Sequence, residues 1–262
     1  MSKYSIYKKF AIKTALAAGK ILLDNYKQTQ KLEWNQKQHF RTKVDIASDK
    51  LIRKRIKEKF PTHNIYSEEN KNLENKSDFS WIIDPLDGTI PYTFGITDHF
   101  SVCVALVKGK TPIVGVIYAP KRNEIYVAEK GHGTYCNNKK IKVSQENNIN
   151  HVLIGLDGGK ETKYFKRTNL AQYVKKLYSP QGITCFLSSG CASVPLALTA
   201  SGKIHSYMAL SLEQWDMAAA VIINREAGAK VTNIKGKQWD IKDKSIIVAN
   251  PKLHNKLLKI IS

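Results

Sequence analysis

No CxxC pair occurs among the four cysteines, Cys103, Cys136, Cys185 and Cys191, and a chain of 262 residues buries a core large enough to fold without disulfide staples. They read as reduced thiols, the usage expected of a cytoplasmic protein. Long apolar runs are missing as well. Phe186 to Gly202 is uncharged, but it is short and rich in small and polar residues, unlike the ~20 apolar residues of a membrane span. At the N-terminus Lys9, Lys13 and Lys20 interrupt every apolar run and no Arg precedes Arg41, so neither a secretory nor a transit peptide is expected. Arginine is scarce: of 42 basic residues only six are Arg, at 41, 53, 55, 122, 167 and 225. A net charge of +20 attracts polyanions, yet phosphate and base recognition leans on Arg. Abundant Lys, Asn and Ile instead fit an A+T-biased coding sequence, and nucleic acid stays a secondary candidate partner. His99 and His205 lack a second His at ligand spacing and read as structural.

What is present points to a soluble mixed α/β protein built in layers. Apolar spacing predicts an opening helix over residues 4–26 and a second from about Ile46 to Phe60, stopped by Pro61. Residues 30–42 are polar and read as a loop. Strands dominate from Ser80: Trp81–Ile83, Phe100–Val107, Pro112–Tyr118, Glu124–Glu129 and Gly133–Val143, the last folded back at Asn137-Asn138. The polar segment Ser144–Asn150 reads as a linker, giving an N-terminal α+β lobe over 1–146 and a C-terminal α/β lobe over 147–262. In the second lobe strands are expected at Val152–Leu156, Ile183–Leu187, Ile204–Met208, Lys230–Asn233 and Ser245–Val248. Helices are expected at Leu170–Lys176, Ala192–Ser201 and Gln214–Glu226.

Chemistry concentrates at Trp81-Ile-Ile-Asp84-Pro-Leu-Asp87-Gly-Thr89, where an apolar strand ends in two carboxylates three residues apart. Hard divalent cations take several oxygen ligands, and Asp84 and Asp87 on one turn can share them, with the Leu86 carbonyl nearby. Gly88 permits close backbone approach to a ligand, its N–H and that of Thr89 can hold a phosphate, and the Thr89 hydroxyl can orient a water. Upstream lie Asp45 and Ser67-Glu68-Glu69; downstream lies Trp215-Asp216. Each piece has an ordinary structural role too: Asp-Pro-x-Asp-Gly is a good turn, and Asp45 and Asp216 each suit a helix cap. Four acidic elements in order, each beside an apolar run, favour a cation site, since buried carboxylates without a cation are expensive. Gly131-His-Gly133 reads as a hairpin turn. Asp157-Gly-Gly-Lys160 either borders a site or simply turns.

Thr42-Lys-Val-Asp45, Ser67-Glu-Glu69, Trp81 to Thr89, Gly115-Val-Ile-Tyr-Ala-Pro120, Gly190-Cys-Ala192, Trp215-Asp216 and Glu226-Ala-Gly228 together resemble the inositol monophosphatase family of lithium-sensitive, Mg2+-dependent phosphatases, over nearly the whole chain. The resemblance implies a layered αβαβα sandwich and a homodimer. It implies Glu68, Asp84, Asp87, Asp216 and the Leu86 carbonyl as ligands to two or three Mg2+ ions, Mn2+ being a possible substitute. Asp45 and Thr89, with the ligand Glu68, would activate the attacking water, and Gly88, Thr89, Gly190 and Ala192 would line the phosphate and substrate side. The implied activity is hydrolysis of a small phosphorylated polyol or sugar, inositol monophosphate first. The 3'(2'),5'-bisphosphate nucleotidase, fructose-1,6-bisphosphatase and histidinol-phosphatase activities follow, and RNA or transcription-machinery binding stands as a different class. Departures concern substrate: His205 replaces an Asp, Ala209 replaces a ring-contacting Glu, and Ile90-Pro-Tyr92 replaces Thr-Asn-Phe.

Overall fold

Helix α1 (Ser5–Asp24) buries Ala11, Ala15, Ala18 and Leu22, an apolar stripe at helical spacing. A computed structural model describes residues 2–26, 33–36, 39–159, 168–178 and 182–262. The expected loop over 30–42 is instead an antiparallel hairpin of β1 (Glu33–Gln36) and β2 (His39–Arg41), Trp34 pairing in register with Phe40; 30–32 and 37–38 lie outside the described residues. Aromatic strand formers override the polar composition there. Helix α2 (Lys43–Lys59) begins three residues before the apolar pattern does. Thr42 caps it, its hydroxyl accepting the Val44 N–H at 3.1 Å.

There follow β3 (Asn64–Ser67), β4 (Phe79–Asp87), α3 (Thr89–Phe94), β5 (Ser101–Lys108), β6 (Thr111–Ala119), β7 (Glu124–Glu129), β8 (Thr134–Cys136) and β9 (Lys139–Ile141). The seven strands β3 to β9 lie side by side in chain order, all antiparallel except the β3–β4 pair. Asn137 and Asn138 turn β8 into β9 with both φ angles positive, +46° and +66°, as a tight hairpin requires. The Gly131–Gly133 turn is a hairpin as expected, and both glycine N–H groups donate to the Glu226 carboxylate at 2.8 Å.

The rest comprises β10 (Leu153–Asp157), α4 (Thr168–Leu177), β11 (Cys185–Leu187), α5 (Ser193–Ala200), β12 (Ser206–Ala209), α6 (Gln214–Glu226), β13 (Lys230–Thr232), β14 (Ile246–Ala249) and α7 (Pro251–Ile261). Five strands form a second sheet in the order β11-β10-β12-β14-β13, with β10 parallel to both neighbours. His205 is structural here, its Nδ1 accepting the Leu153 N–H at 3.0 Å.

Both faces of the first sheet are covered, which is why Val102–Val107 is buried without alternation despite antiparallel pairing. Trp81, Ile83, Val104 and Val116 face α1 and α2; Ile82, Cys103, Ala105 and Ile117 face α5 and α6. Across α5 and α6 lies the second sheet, through Tyr207, Ala209, Ile246 and Val248, and its far side packs on α4 and α7. The layers are therefore αβαβα. Close packing of the middle layer depends on Gly115, where a Cβ would stand 2.5 Å from the Ala219 carbonyl oxygen of α6.

Candidate metal centre

The apolar strand expected over Trp81–Ile83 continues as β4 through Asp84 to Asp87, with a register irregularity between these two carboxylates opposite Cys103 and Ser101. Such an irregularity re-aims side chains at a strand end. Asp84 is 1% exposed; its Oδ1 accepts the Leu86 N–H at 3.0 Å, and its Oδ2 has no hydrogen-bond partner among the described residues. One ligand oxygen each from Glu68, Asp84 and Asp216 lie within 4.8 Å of one another. Burial, then the charges of Glu68, Asp87 and Asp216, hold the Asp84 carboxyl well above the usual carboxylate range. A buried carboxylate oxygen without a donor, facing two more carboxylates, fits a hard cation with oxygen ligands.

Asp45 and Thr89 form a second unit. The Asp45 Oδ2 accepts the Thr42 N–H at 2.8 Å and its hydroxyl at 2.5 Å, while Oδ1 lies 3.2 Å from the Thr89 hydroxyl. That hydroxyl is also 3.2 Å from the Leu86 carbonyl oxygen, so its one proton is shared between two acceptors. Burial raises the Asp45 carboxyl to about 6 against the opposing hydrogen bonds from Thr42 and Thr89. Gly88 joins β4 to α3 at φ +87°, and a Cβ there would stand 2.5 Å from the His99 carbonyl oxygen. Pro91 is tolerated in α3 because it falls in the first turn, where N–H groups have no intrahelical acceptor.

Asp87 is placed differently from Asp84. Its Oδ2 accepts the Ser193 N–H at 2.6 Å, the Ser193 hydroxyl, and the Cys191 thiol at 3.1 Å; among the described residues its Oδ1 accepts only the Ala192 N–H, at 3.3 Å. Thus Asp87 ties β4 to the start of α5 and stands outside the Glu68–Asp84–Asp216 cluster. A cavity of about 420 Å³ lies between the two sheets. Glu68, Leu86, Asp87, Gly88, Thr89 and Asp216 line it, and so do Gly190 and Ala192 across the gap.

The inositol monophosphatase family model matches residues 4–262. The chain belongs to the inositol monophosphatase family. It is 33% identical over 255 residues to the Nus factor SuhB of Pasteurella multocida, covering 95% of this chain and 92% of that protein. It is 32% identical over 265 residues to the fructose-1,6-bisphosphatase/inositol-1-monophosphatase of Aquifex aeolicus, covering 99% and 97%. Among solved structures, an inositol monophosphatase from Anabaena superposes with a TM-score of 0.86 at 29% identity, covering 99% of this chain and 96% of that one. Among the described residues no helix is long and apolar enough to cross a membrane.

Within this family member, sequence reasoning passed over Asp49 and Ser188 near the site, and named Glu69 and Asp157 without assigning either a function. Asp49, fully buried, accepts from the Ser67 hydroxyl and the Asn70 amide and lies 3.9 Å from Arg53, bracing the segment that carries Glu68. Its signal was the spacing of Asp45, Ser48 and Asp49, a polar stripe on one face of α2. Glu69, 3.9 Å from Arg41, is raised to about 8, mostly by burial and then by the Asp45 and Glu68 charges. Asp157, Ser188 and Tyr207 also line the cavity, from the second sheet.

Proposed function

We propose that this chain is a Mg2+-dependent phosphomonoesterase acting on a small phosphorylated polyol or sugar, with inositol monophosphate as the leading substrate. The observation that carries the reading is the donorless Oδ2 of Asp84 inside the Glu68–Asp84–Asp216 cluster at the cavity. Glu68, Asp84 and Asp216 would hold the ions, two or three in number, with the Leu86 carbonyl and the less engaged Oδ1 of Asp87. When bound, Mg2+ lowers the pKa of a coordinated water and neutralises charge on the phosphoryl and leaving oxygens. The protein's own part is positional. Asp45 takes the proton that Thr89 orients toward it, Glu68 steadies the same region, and Gly88, Thr89, Gly190 and Ala192 bound the space for the phosphate.

The test is phosphate release, with and without Mg2+, from inositol 1-phosphate, 3'-phosphoadenosine 5'-phosphate, fructose 1,6-bisphosphate, histidinol phosphate and glycerol 2-phosphate. A Mg2+-dependent preference for inositol 1-phosphate is expected; preference for a bisphosphate would reassign the substrate. A second reading rests on the net charge of +20 and on relatives named as Nus factors: contact with RNA or the transcription machinery through the basic surface. RNA binding that survives physiological salt supports it, whereas binding shared equally by any polyanion and lost at that salt removes it.

A further inference from the structure

Besides Asp87, which is tied to the start of α5, one carboxylate lining the cavity belongs neither to the metal cluster nor to the Asp45–Thr89 unit. Asp157 ends β10, half-buried, and its register partner on the neighbouring strand β12 is Ala209, which brings no polar group of its own. The Asp157 Oδ1 accepts the Ser188 hydroxyl at 2.7 Å, and its Oδ2 accepts the Tyr207 hydroxyl at 2.9 Å. Tyr207 is fully buried, so this second donor is held in place by packing. No cationic side chain among the described residues pairs with Asp157. A carboxylate offers about four acceptor positions and only two are used here. Ser188 and Tyr207 each spend their single proton on Asp157, so all three groups turn only lone pairs to the cavity they line.

A surface made of acceptors selects donors. An additional phosphate, anionic and acceptor-only, would meet repulsion there. An ammonium would satisfy the acceptors but would lose its hydration against the apolar rim of Ile90, Leu170 and Leu212, a cost that neutral hydroxyls largely avoid. We propose that Asp157, held by Ser188 and Tyr207, is a specificity-determining residue that accepts hydrogen bonds from the hydroxyls of the substrate's alcohol half, favouring polyol monophosphates over bisphosphates. This assignment rests on the phosphomonoesterase reading of the same cavity.

Equilibrium binding tests it without turnover. Titration calorimetry with Ca2+ in place of Mg2+ would compare inositol 1-phosphate, histidinol phosphate, fructose 1,6-bisphosphate and inorganic phosphate on the wild-type protein, Asp157→Asn, Asp157→Leu and Tyr207→Phe. The ratio of affinity for inositol 1-phosphate to that for inorganic phosphate should fall by ~10-fold or more in Asp157→Leu. It should fall less in Asp157→Asn and Tyr207→Phe, which keep the fold should leucine disturb it. Fructose 1,6-bisphosphate should gain affinity in both Asp157 variants. Unchanged ratios, or a larger loss for histidinol phosphate than for inositol 1-phosphate, would overturn the assignment while leaving the phosphatase reading intact. A wild-type protein that binds none of the four would overturn both.

Discussion

Helices α2 and α6 start alike. In each, the carboxylate at the third helical position accepts the backbone N–H of the residue just before the helix at 2.8 Å, Asp45 from Thr42 and Asp216 from Glu213. In each the capping oxygen is Oδ2. The surroundings differ: Asp45 is buried in the first turn of α2 and meets the Thr89 hydroxyl, whereas Asp216 is half-buried at the cavity and meets Glu68 and Asp84. Capping and site chemistry are therefore two uses of one side chain, not alternatives. The helix start fixes a carboxylate's position, and the neighbouring element decides what that carboxylate can do.

Amide substitutions separate the two uses, because Asn keeps an oxygen for the cap and loses the charge. Removing charge from the cluster should have the largest effect: Asp84→Asn and Asp216→Asn are each expected to lower Mg2+-dependent phosphate release at least ~100-fold. The metal-free Asp84→Asn protein should melt higher than wild type by calorimetry, since a buried carboxyl whose Oδ2 has no donor among the described residues, set among like charges, gives way to a neutral amide. Asp45→Asn should cost roughly 100-fold in kcat with little change in KM for the same ester, as expected for loss of a proton acceptor. Alanine at either position removes the cap as well, and chemical denaturation should show a further loss of about 1 kcal/mol relative to the Asn variant.

A pH series sharpens the contrast from the stability side. The folded Asp45 carboxyl, raised to about 6, binds its proton more tightly than in the unfolded chain, where it titrates near 3.8. Acidification from pH 7 toward 4 should therefore stabilise the metal-free protein through this group, by at most ~3 kcal/mol. That gain should vanish in Asp45→Asn. His254 acts in the opposite sense over nearly the same range. Burial lowers it to about 4 beside the Thr232 hydroxyl at 2.9 Å, so the unfolded chain takes up the proton first, and stability is lost as pH falls from about 6.5 to 4.

Much of this was legible in the sequence, and the gaps have physical causes. Glu124–Glu129 and Gln214–Glu226 fold with the bounds their patterns give, and Asn137-Asn138 turns as two residues that tolerate positive φ should. Helix α3 hides because Asp-Gly-Thr-Ile-Pro has a turn composition and the helix is only six residues long. Helix α7 had its signals, Asn250 as cap, Pro251 after it, and Leu253, Leu257 and Ile261 at spacings of four, and they went unread. At the site, spacing brought the acidic elements into view but not their partners. That Ser193 would engage Asp87, 106 residues away, or that Asp157 would meet Ser188 and Tyr207, 31 and 50 residues away, depends on tertiary contacts that spacing along the chain does not encode.

The most direct test of the metal centre is Mg2+-dependent phosphate release from inositol 1-phosphate by the wild-type protein and by folded Asp84→Asn, measured side by side. Release by the wild type that requires Mg2+ and is abolished in the variant is the predicted result. Full Mg2+-dependent release by Asp84→Asn would contradict the account.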